Sequence, residues 1–93
     1  MIKFNDAEVM EEYEALPQGI KTAFEDVCSK EKRDIYLEGV YYTKSDKGIA
    51  NQRCANLSTF TLKQVGDSVE VDETIYVGIF DYDNKIEVTV TRD

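Results

Sequence analysis

Residues 68–80 read SVEVDETIYVGIF, and this stretch determines how the rest of the chain is interpreted. Apolar side chains recur there at every second position, interrupted once by Glu73, with mostly polar residues between them: Val69, Val71, Ile75, Val77 and Ile79. A period of two predicts a β-strand with one buried face. The alternation resumes at Ile86, Val88 and Val90, directly after the turn-forming run DYDNK at 81–85. The chain is therefore expected to end in a β-hairpin.

The segment before this hairpin predicts further strands. In residues 35–42 three side chains are expected to alternate toward the core: Ile35, Leu37 and Tyr41. Gly39 is a candidate site for a β-bulge in this strand. A hairpin turn is expected at residues 45–48 (SDKG), followed over 49–57 by an edge strand or an irregular connection. Phe60, Leu62 and Gln64 then indicate a short strand, which turns at residues 66–67 into the stretch quoted above.

Two helices are predicted ahead of the strands. Asn5 or Asp6 can cap the first, and four apolar residues follow at helical spacing: Val9, Met10, Tyr13 and Leu16. Pro17 separates this helix from a second one over about 17–30, whose inward side chains are Ile20, Ala23, Phe24, Val27 and Cys28. We therefore predict one α+β domain over residues 1–93. Two helices in 1–31 cover one face of a four- to five-stranded, mainly antiparallel sheet in 34–92.

Composition excludes several kinds of site. Histidine is absent, which removes the base of Ser/His/Asp and Cys/His catalysis. Cys28 and Cys54 lack metal-ligand spacing and are interpreted as buried free thiols. The glycines are scattered singly, so no phosphate-binding loop is indicated. The run after Asp81 matches a calcium loop only at its first acidic positions. We therefore predict no catalytic residue, no cofactor and no metal.

Net charge is the unusual property of the chain. Nineteen acids against eleven bases leave a formal charge of −8. Such a surface repels nucleic acid and anionic membranes, so neither is expected as a direct ligand, and a charged partner should be basic. The N-terminus shows no signal peptide, which predicts a cytoplasmic location, or the host cytoplasm if the protein is phage-encoded.

The acids fall into two blocks. The first helix carries Glu8, Glu11, Glu12 and Glu14, although like charges at helical spacing each cost a few tenths of a kcal/mol. Together with Asp6 they occupy about 13 Å of helix axis, or one charge per about 2.7 Å, and duplex DNA carries one per about 1.7 Å. The late block consists of Glu70, Asp72, Glu73, Asp81 and Asp83. Both blocks are expected to contact a partner, with three tyrosines as additional contact area: Tyr41, Tyr42 and Tyr82.

In size, helix-then-sheet order and charge, the chain resembles the small acidic DNA-mimic inhibitors that phages and mobile elements use against restriction and other defence enzymes. This class includes the anti-restriction protein Arn and the uracil-glycosylase inhibitor. The resemblance is one of class, with no shared residue motif, and no site residue is transferred. It implies a non-enzymatic inhibitor that occupies the basic nucleic-acid-binding surface of a DNA- or RNA-handling enzyme. It also implies the option of a homodimer, for which edge strands offer a route.

Alternative interpretations remain open at this point. The acids can be a solvated face that keeps the protein soluble. A small adaptor or immunity-type module would bind through its tyrosine-rich apolar surface, with little dependence on salt. A small carboxylate-dependent enzyme would need an acid enclosed in a pocket and titrating well above its normal range. The tyrosines can also be half-buried sheet residues, or a base-stacking surface of the kind found in single-strand binders.

Overall fold

Two helices and five strands form two layers in the computed structural model, which describes residues 2–44, 53–82 and 85–93. The strands are β1 (Ile2–Phe4), β2 (Ile35–Lys44), β3 (Arg53–Val65), β4 (Ser68–Tyr82) and β5 (Lys85–Arg92). The helices are α1 (Ala7–Glu14) and α2 (Gln18–Ser29). The predicted α+β class is confirmed, with both helices ahead of the four long strands. Neither helix in the described part has the length and hydropathy of a transmembrane span.

The five strands lie side by side in chain order, β1-β2-β3-β4-β5. All neighbouring pairs are antiparallel except β1 and β2, which are parallel. The prediction that residues 1–31 are purely helical is therefore wrong at β1, because three residues are too few to show an alternating pattern. The expected turn at residues 66–67 is confirmed, with Gly66 in a left-handed conformation at φ 60°. The turn expected at 45–48 lies outside the described residues.

The core lies between the helices and one face of the sheet. α1 covers β1 and β2, and α2 covers β4 and β5. Tyr13 joins the two helices to the sheet edge, because its ring centroid lies 5.6 Å from that of Phe4 and 5.9 Å from that of Phe24. The side chains of Ile20, Phe24, Leu37, Leu57 and Ile79 are fully buried. Each buried aliphatic or aromatic side chain of this kind contributes roughly 1.5–3 kcal/mol.

Both helices begin close to where they were predicted. The Asp6 carboxylate caps α1 by accepting a hydrogen bond from the Val9 backbone N–H at 2.9 Å. Pro17 precedes α2 and its carbonyl accepts hydrogen bonds from the first turn. The inward placement predicted for Met10 is wrong, since this side chain is 43% exposed. It lies roughly 100° around the helix from Val9, outside the stripe that Val9 and Tyr13 bury.

Two bulges reverse the inside-outside pattern of long strands. In β2 the pairing register shifts between Leu37 and Gly39, so the bulge predicted near Gly39 is confirmed. Beyond it Tyr42 packs against the core and Tyr41 is 65% exposed, which corrects the inward placement of Tyr41. In β4 the shift falls at Asp72. The same reversal leaves Val69 and Val71 outside the core, although they share the alternation of Ile75.

β3 is the central strand, which corrects the expectation of an edge strand or irregular connection leading into it. Its buried positions are Ala55, Leu57, Thr59 and Thr61. Phe60 and Leu62, in the segment predicted as a short strand, belong to β3 and are half-buried on the opposite face. Beyond Phe60 the strand pairs with β4 alone. Residues 61–74 thus form a two-stranded extension of the sheet, the β3–β4 arm.

Candidate protein-binding surfaces

The glutamates of α1 are spread over the exposed side of the helix, with Glu12 and Glu14 on its two flanks. We call Glu8, Glu11, Glu12 and Glu14 the α1 acidic surface; all four are exposed. None of them forms an ion pair with any residue in the described ranges, where every ion pair involves other acids. The Lys21 ammonium donates to the Glu14 backbone carbonyl at 3.3 Å and forms no ion pair with its carboxylate. The negative charge of α1 is therefore uncompensated within this part of the chain.

Tyr42 lies next to this acidic surface. It lines a shallow depression of about 270 Å³ together with Glu12, Leu16 and Val40. The bulge in β2 turns Tyr42 to the helix-covered side, where it is half-buried against the core. The structure thus brings one predicted contact tyrosine to the α1 acids and places another, Tyr41, on the opposite face of the sheet.

The late acidic block does not form one surface. Asp72 pairs with Arg33 and lies 3.9 Å from the ammonium of Lys63, and Glu73 pairs with Arg92. Glu70 is exposed and stands directly opposite Lys63 in the arm. Asp81 is at the other end of β4, about 27 Å from Glu73 along the strand. Asp83 and the side chain of Tyr82 lie outside the described part of the chain.

Arg92 links three segments at the arm end of the molecule. Its guanidinium contacts the carboxylates of Glu31, just after α2, and Glu73, in β4. These contacts raise the Arg92 pKa above its ordinary value, first through the Glu31 hydrogen bond and then through the Glu73 bond. The acids at this end are therefore neutralised by the protein's own arginines and serve its structure. Asp72 and Glu73, which were expected to contact a partner, are thus engaged within the chain.

The face of the sheet opposite the helices, the open face, carries a second candidate surface. Tyr41 and Tyr76 flank a depression of about 460 Å³, and Tyr76 is 48% exposed. Gly39 and Gly78 lie in its lining, which Phe80, Asn56, Ser58 and Thr89 complete. At Gly78 an added Cβ would come within 2.7 Å of the Thr89 hydroxyl, so the glycine keeps this depression deep. No charged side chain is among the described residues that line it.

Tyr76 was missed at the sequence level because it was treated as a polar position of a strand. The signal was present, since Tyr76 alternates with Ile75 and Val77 and the two helices can cover only one face. The same reasoning locates Tyr36 and Phe60, whose rings stack on the open face with centroids 5.5 Å apart. Aromatic residues at the polar positions of a half-covered sheet thus identify its uncovered face.

A cavity of about 540 Å³ lies between the two helices and β1. Its lining includes Glu14, Glu25 and Lys21. The Tyr13 hydroxyl donates to the Glu25 carboxylate at 3.0 Å. Both glutamates are exposed to solvent, whereas a general acid of the glycosidase type requires an enclosed carboxyl. Among the described residues, no three cysteine or acidic side chains are grouped as metal ligands.

Comparison of the chain with protein-family models, with curated proteins and with solved structures gives no match.

Proposed function

We propose that the protein is a non-enzymatic inhibitor or interaction module whose α1 acidic surface binds the basic nucleic-acid-binding surface of a DNA- or RNA-handling protein. The observation that carries this proposal is that four exposed acids without an ion pair in the described part of the chain follow one another along a single helix, in contrast to the paired acids near the arm. Acids near the arm are paired with arginine and lysine, whereas the α1 glutamates have no such partner in the described residues. Uncompensated like charges destabilise a helix. A basic partner that neutralises them therefore binds more tightly without breaking any ion pair within the protein.

The mechanism is competition for the nucleic-acid site. The linear charge density of α1 approaches that of a DNA backbone, so a groove lined by lysine and arginine attracts both. Association is steered by charge and weakens as ionic strength rises, because the Debye length falls from about 10 Å at 0.1 M to about 3 Å at 1 M. Tyr42, beside Glu12, supplies apolar contact at the edge of the acidic surface.

The test uses three baits in cell extract: the wild type, a variant with Glu8, Glu11, Glu12 and Glu14 changed to glutamine, and a matched control. The control changes four other exposed acids to glutamine: Glu38, Asp67, Glu87 and Asp93. Both variants have the same net charge, so they differ only in where the charge was removed. Captured proteins are identified by mass spectrometry, and the affinity of each purified partner is measured at low and high salt.

We expect wild type and control to retain a nucleic-acid-binding protein that duplex DNA or RNA displaces. The α1 variant should bind it about 100-fold more weakly, or about 2.7 kcal/mol. Unfolding of the α1 variant should be unchanged or slightly more difficult, because like-charge repulsion has been removed. Equal retention by all three baits, or retention that persists at high salt, would contradict the proposal.

A second candidate function is favoured by the exposed aromatic residues of the open face. An adaptor or immunity-type module would bind a partner through Tyr41 and Tyr76 around the depression at Gly78. Because this surface is uncharged, binding should be nearly independent of salt, and changing both tyrosines to serine should abolish it. The absence of lysine and arginine from the described lining disfavours a single-stranded nucleic acid as the ligand, since such sites are basic.

A further inference from the structure

The outer edge of β5 is unpaired in the described structure. β5 is the last strand of the sheet, and all eight of its residues pair with β4 without a register shift. Its other edge therefore presents a regular row of backbone donors and acceptors about 27 Å long. The opposite end of the sheet is formed by β1, which has only three residues. β1 pairs only with Ile35, Tyr36 and Leu37 of β2, so residues 38–44 present a second open edge, which is shorter and begins at the β2 bulge. The longest regular edge of the described sheet is thus at β5.

Apolar side chains follow this edge on the side that the helices cover. Ile86, Val88 and Val90 stand opposite Asp81, Ile79 and Val77 of β4, and therefore belong to the core-facing side. They are 40–42% exposed even though α2 packs against the strand. Three β-branched side chains at alternate positions of one strand are therefore partly exposed to solvent. Such a strip at a sheet edge indicates an interface.

The usual devices that protect an edge strand are missing from β5. It contains no proline, no glycine and no bulge, and its single lysine is at the first position. Arg92, at the last position, is engaged with Glu31 and Glu73. Glu87 is thus the single charge in the middle of the strand. A regular, weakly charged edge of this kind favours addition of another strand.

We propose that β5 pairs antiparallel with β5 of a second copy, centred on Val88, and joins two five-stranded sheets into one. In this register Val88 faces its own copy, and Ile86 faces Val90 of the partner copy, so the apolar strip becomes continuous across the two-fold axis. Glu87 faces a threonine, Thr89, instead of a like charge. Lys85 faces Thr91. The strand is self-complementary in this register.

The neighbouring registers are less favourable. Centring the pair on Glu87 places two carboxylates directly opposite each other, which destabilises the pair. Centring it on Thr89 places Ile86 against Arg92, whose guanidinium already contacts two carboxylates. The register centred on Val88 pairs all three apolar residues with one another and opposes no like charges. This complementarity is why a second copy, and not an unrelated strand, is the expected occupant.

The dimer does not depend on the proposed function and does not obstruct it. α1 covers β1 and β2, which lie at the opposite end of the sheet from β5. Both acidic helices therefore stay accessible in the dimer. Each copy carries a net charge of −8, and the two copies repel each other. Self-association should therefore strengthen with salt, whereas binding of a basic partner through α1 should weaken. One strand per copy makes a small interface, so the dimer is expected to be concentration-dependent.

The first test is sedimentation equilibrium over a range of concentrations at about 0.05 M and about 0.5 M salt. The wild-type mass should rise from 10.6 kDa toward twice that value with concentration, and at lower concentration in the higher salt. Val88→Lys places two ammonium groups at the two-fold axis and should remain monomeric. Val69→Lys, at an exposed valine of the arm, introduces the same charge and should still dimerise. A wild type that is monomeric throughout, or equal loss of dimer in both variants, overturns the proposal.

The second test examines the register in a Cys54→Ser background, in which Cys28 is buried. Val88→Cys should oxidise to a covalent dimer, because directly opposed residues have Cα atoms about 4.5–5.5 Å apart. Val90→Cys should not, because Val90 and its copy are displaced by four residues, about 14 Å along the strands. Equal cross-linking of both variants, or none at Val88→Cys, overturns the proposed pairing even if a dimer of another kind exists.

Discussion

Thr59 and Thr61 are neighbours on the buried face of β3, but their hydroxyl groups differ in what they contact. The Thr59 hydroxyl donates to the Ile75 carbonyl at 3.3 Å. The Thr61 hydroxyl is fully buried and has no hydrogen-bond partner among the described residues. A buried donor without an acceptor costs about 1–3 kcal/mol, so the two threonines are expected to affect stability in opposite directions.

Replacing each threonine by valine, which has nearly the same shape, tests this difference. Thr61→Val should raise the free energy of unfolding by about 1 kcal/mol, because an unsatisfied hydroxyl is removed. Thr59→Val should lower it by about 1 kcal/mol, because a hydrogen bond is lost. Urea denaturation of the two variants and the wild type gives both values. The interpretation fails if Thr61→Val destabilises the protein as much as Thr59→Val does.

Cys28 and Tyr13 make the stability of the fold sensitive to high pH. Burial raises the pKa of the Cys28 thiol from 9.0 to about 12. Burial, followed by the hydrogen bond to Glu25, raises the pKa of Tyr13 well above its usual value. In the unfolded chain both groups ionise at lower pH than in the folded one, so the unfolded state binds fewer protons. The contribution of these two groups to the free energy of unfolding is thus fully present below about pH 9 and decreases above it.

Measured between about pH 9 and about pH 10, the free energy of unfolding should fall with a slope of up to about 1.4 kcal/mol per pH unit from the thiol alone. Cys28→Ala removes this group, so its slope in the same interval should be clearly shallower, whatever its absolute stability. Cys54→Ala is the matched control, because Cys54 is more exposed and its pKa is raised less strongly. Identical slopes in all three proteins would show that Cys28 is not responsible.

At the scale of elements, the β3–β4 arm is the part of the sheet with the fewest neighbours. Neither β2 nor β5 extends alongside it, and no helix lies over its tip. Its valines are exposed, with Val69 at 57% and Val71 at 54%. Asp72 fixes its base through Arg33, which follows α2. The arm therefore depends on its backbone ladder and on a few charged contacts more than on buried apolar area.

Hydrogen exchange should distinguish the backbone amides of the arm from those of the core. Backbone amides of residues 62–71 should exchange through local opening, at a much lower free energy than those of Ile75, Val77 and Ile79, which require global unfolding. Asp72→Asn should speed exchange in the arm and leave the core amides unchanged. Glu70→Gln, two positions from the Asp72 bulge and without an ion pair in the described residues, is the control. Uniform protection of arm and core would contradict this description.

At the scale of the whole molecule, charge and apolar surface are distributed to different sides. The molecule is elongated, with extents of 53 × 24 × 19 Å, and exposes 6140 Å². A typical monomer of this mass exposes roughly 5,500 Å². The acidic helix packs on β1 and β2, at the opposite end of the sheet from the β5 edge, whereas the aromatic depression borders that edge through Thr89 and Thr91. Net charge alone therefore does not describe this protein, since the location of the uncompensated acids matters more.

The order of elements and the fold class follow from local patterns. Helical spacing in residues 9–28 and alternation in 68–90 indicate which side chains are buried. Both patterns can be detected from residues that are close together in the sequence. For the same reason Glu8, Glu11, Glu12 and Glu14 were recognisable as an acidic helix face. The terminal hairpin was recognisable because its two strands are separated by a short turn.

Other features depend on contacts between distant segments. The bulges at Gly39 and Asp72 reverse which residues face the core, so Tyr41, Val69 and Val71 could not be placed by alternation alone. Arg33 and Arg92 neutralise Asp72 and Glu73 across sequence separations that no local pattern records. By itself, the sequence determined two helices, a mostly antiparallel sheet and an excess of negative charge. Only the tertiary structure decided which of those charges are neutralised and which remain for a partner, because pairing of charges depends on distance in space.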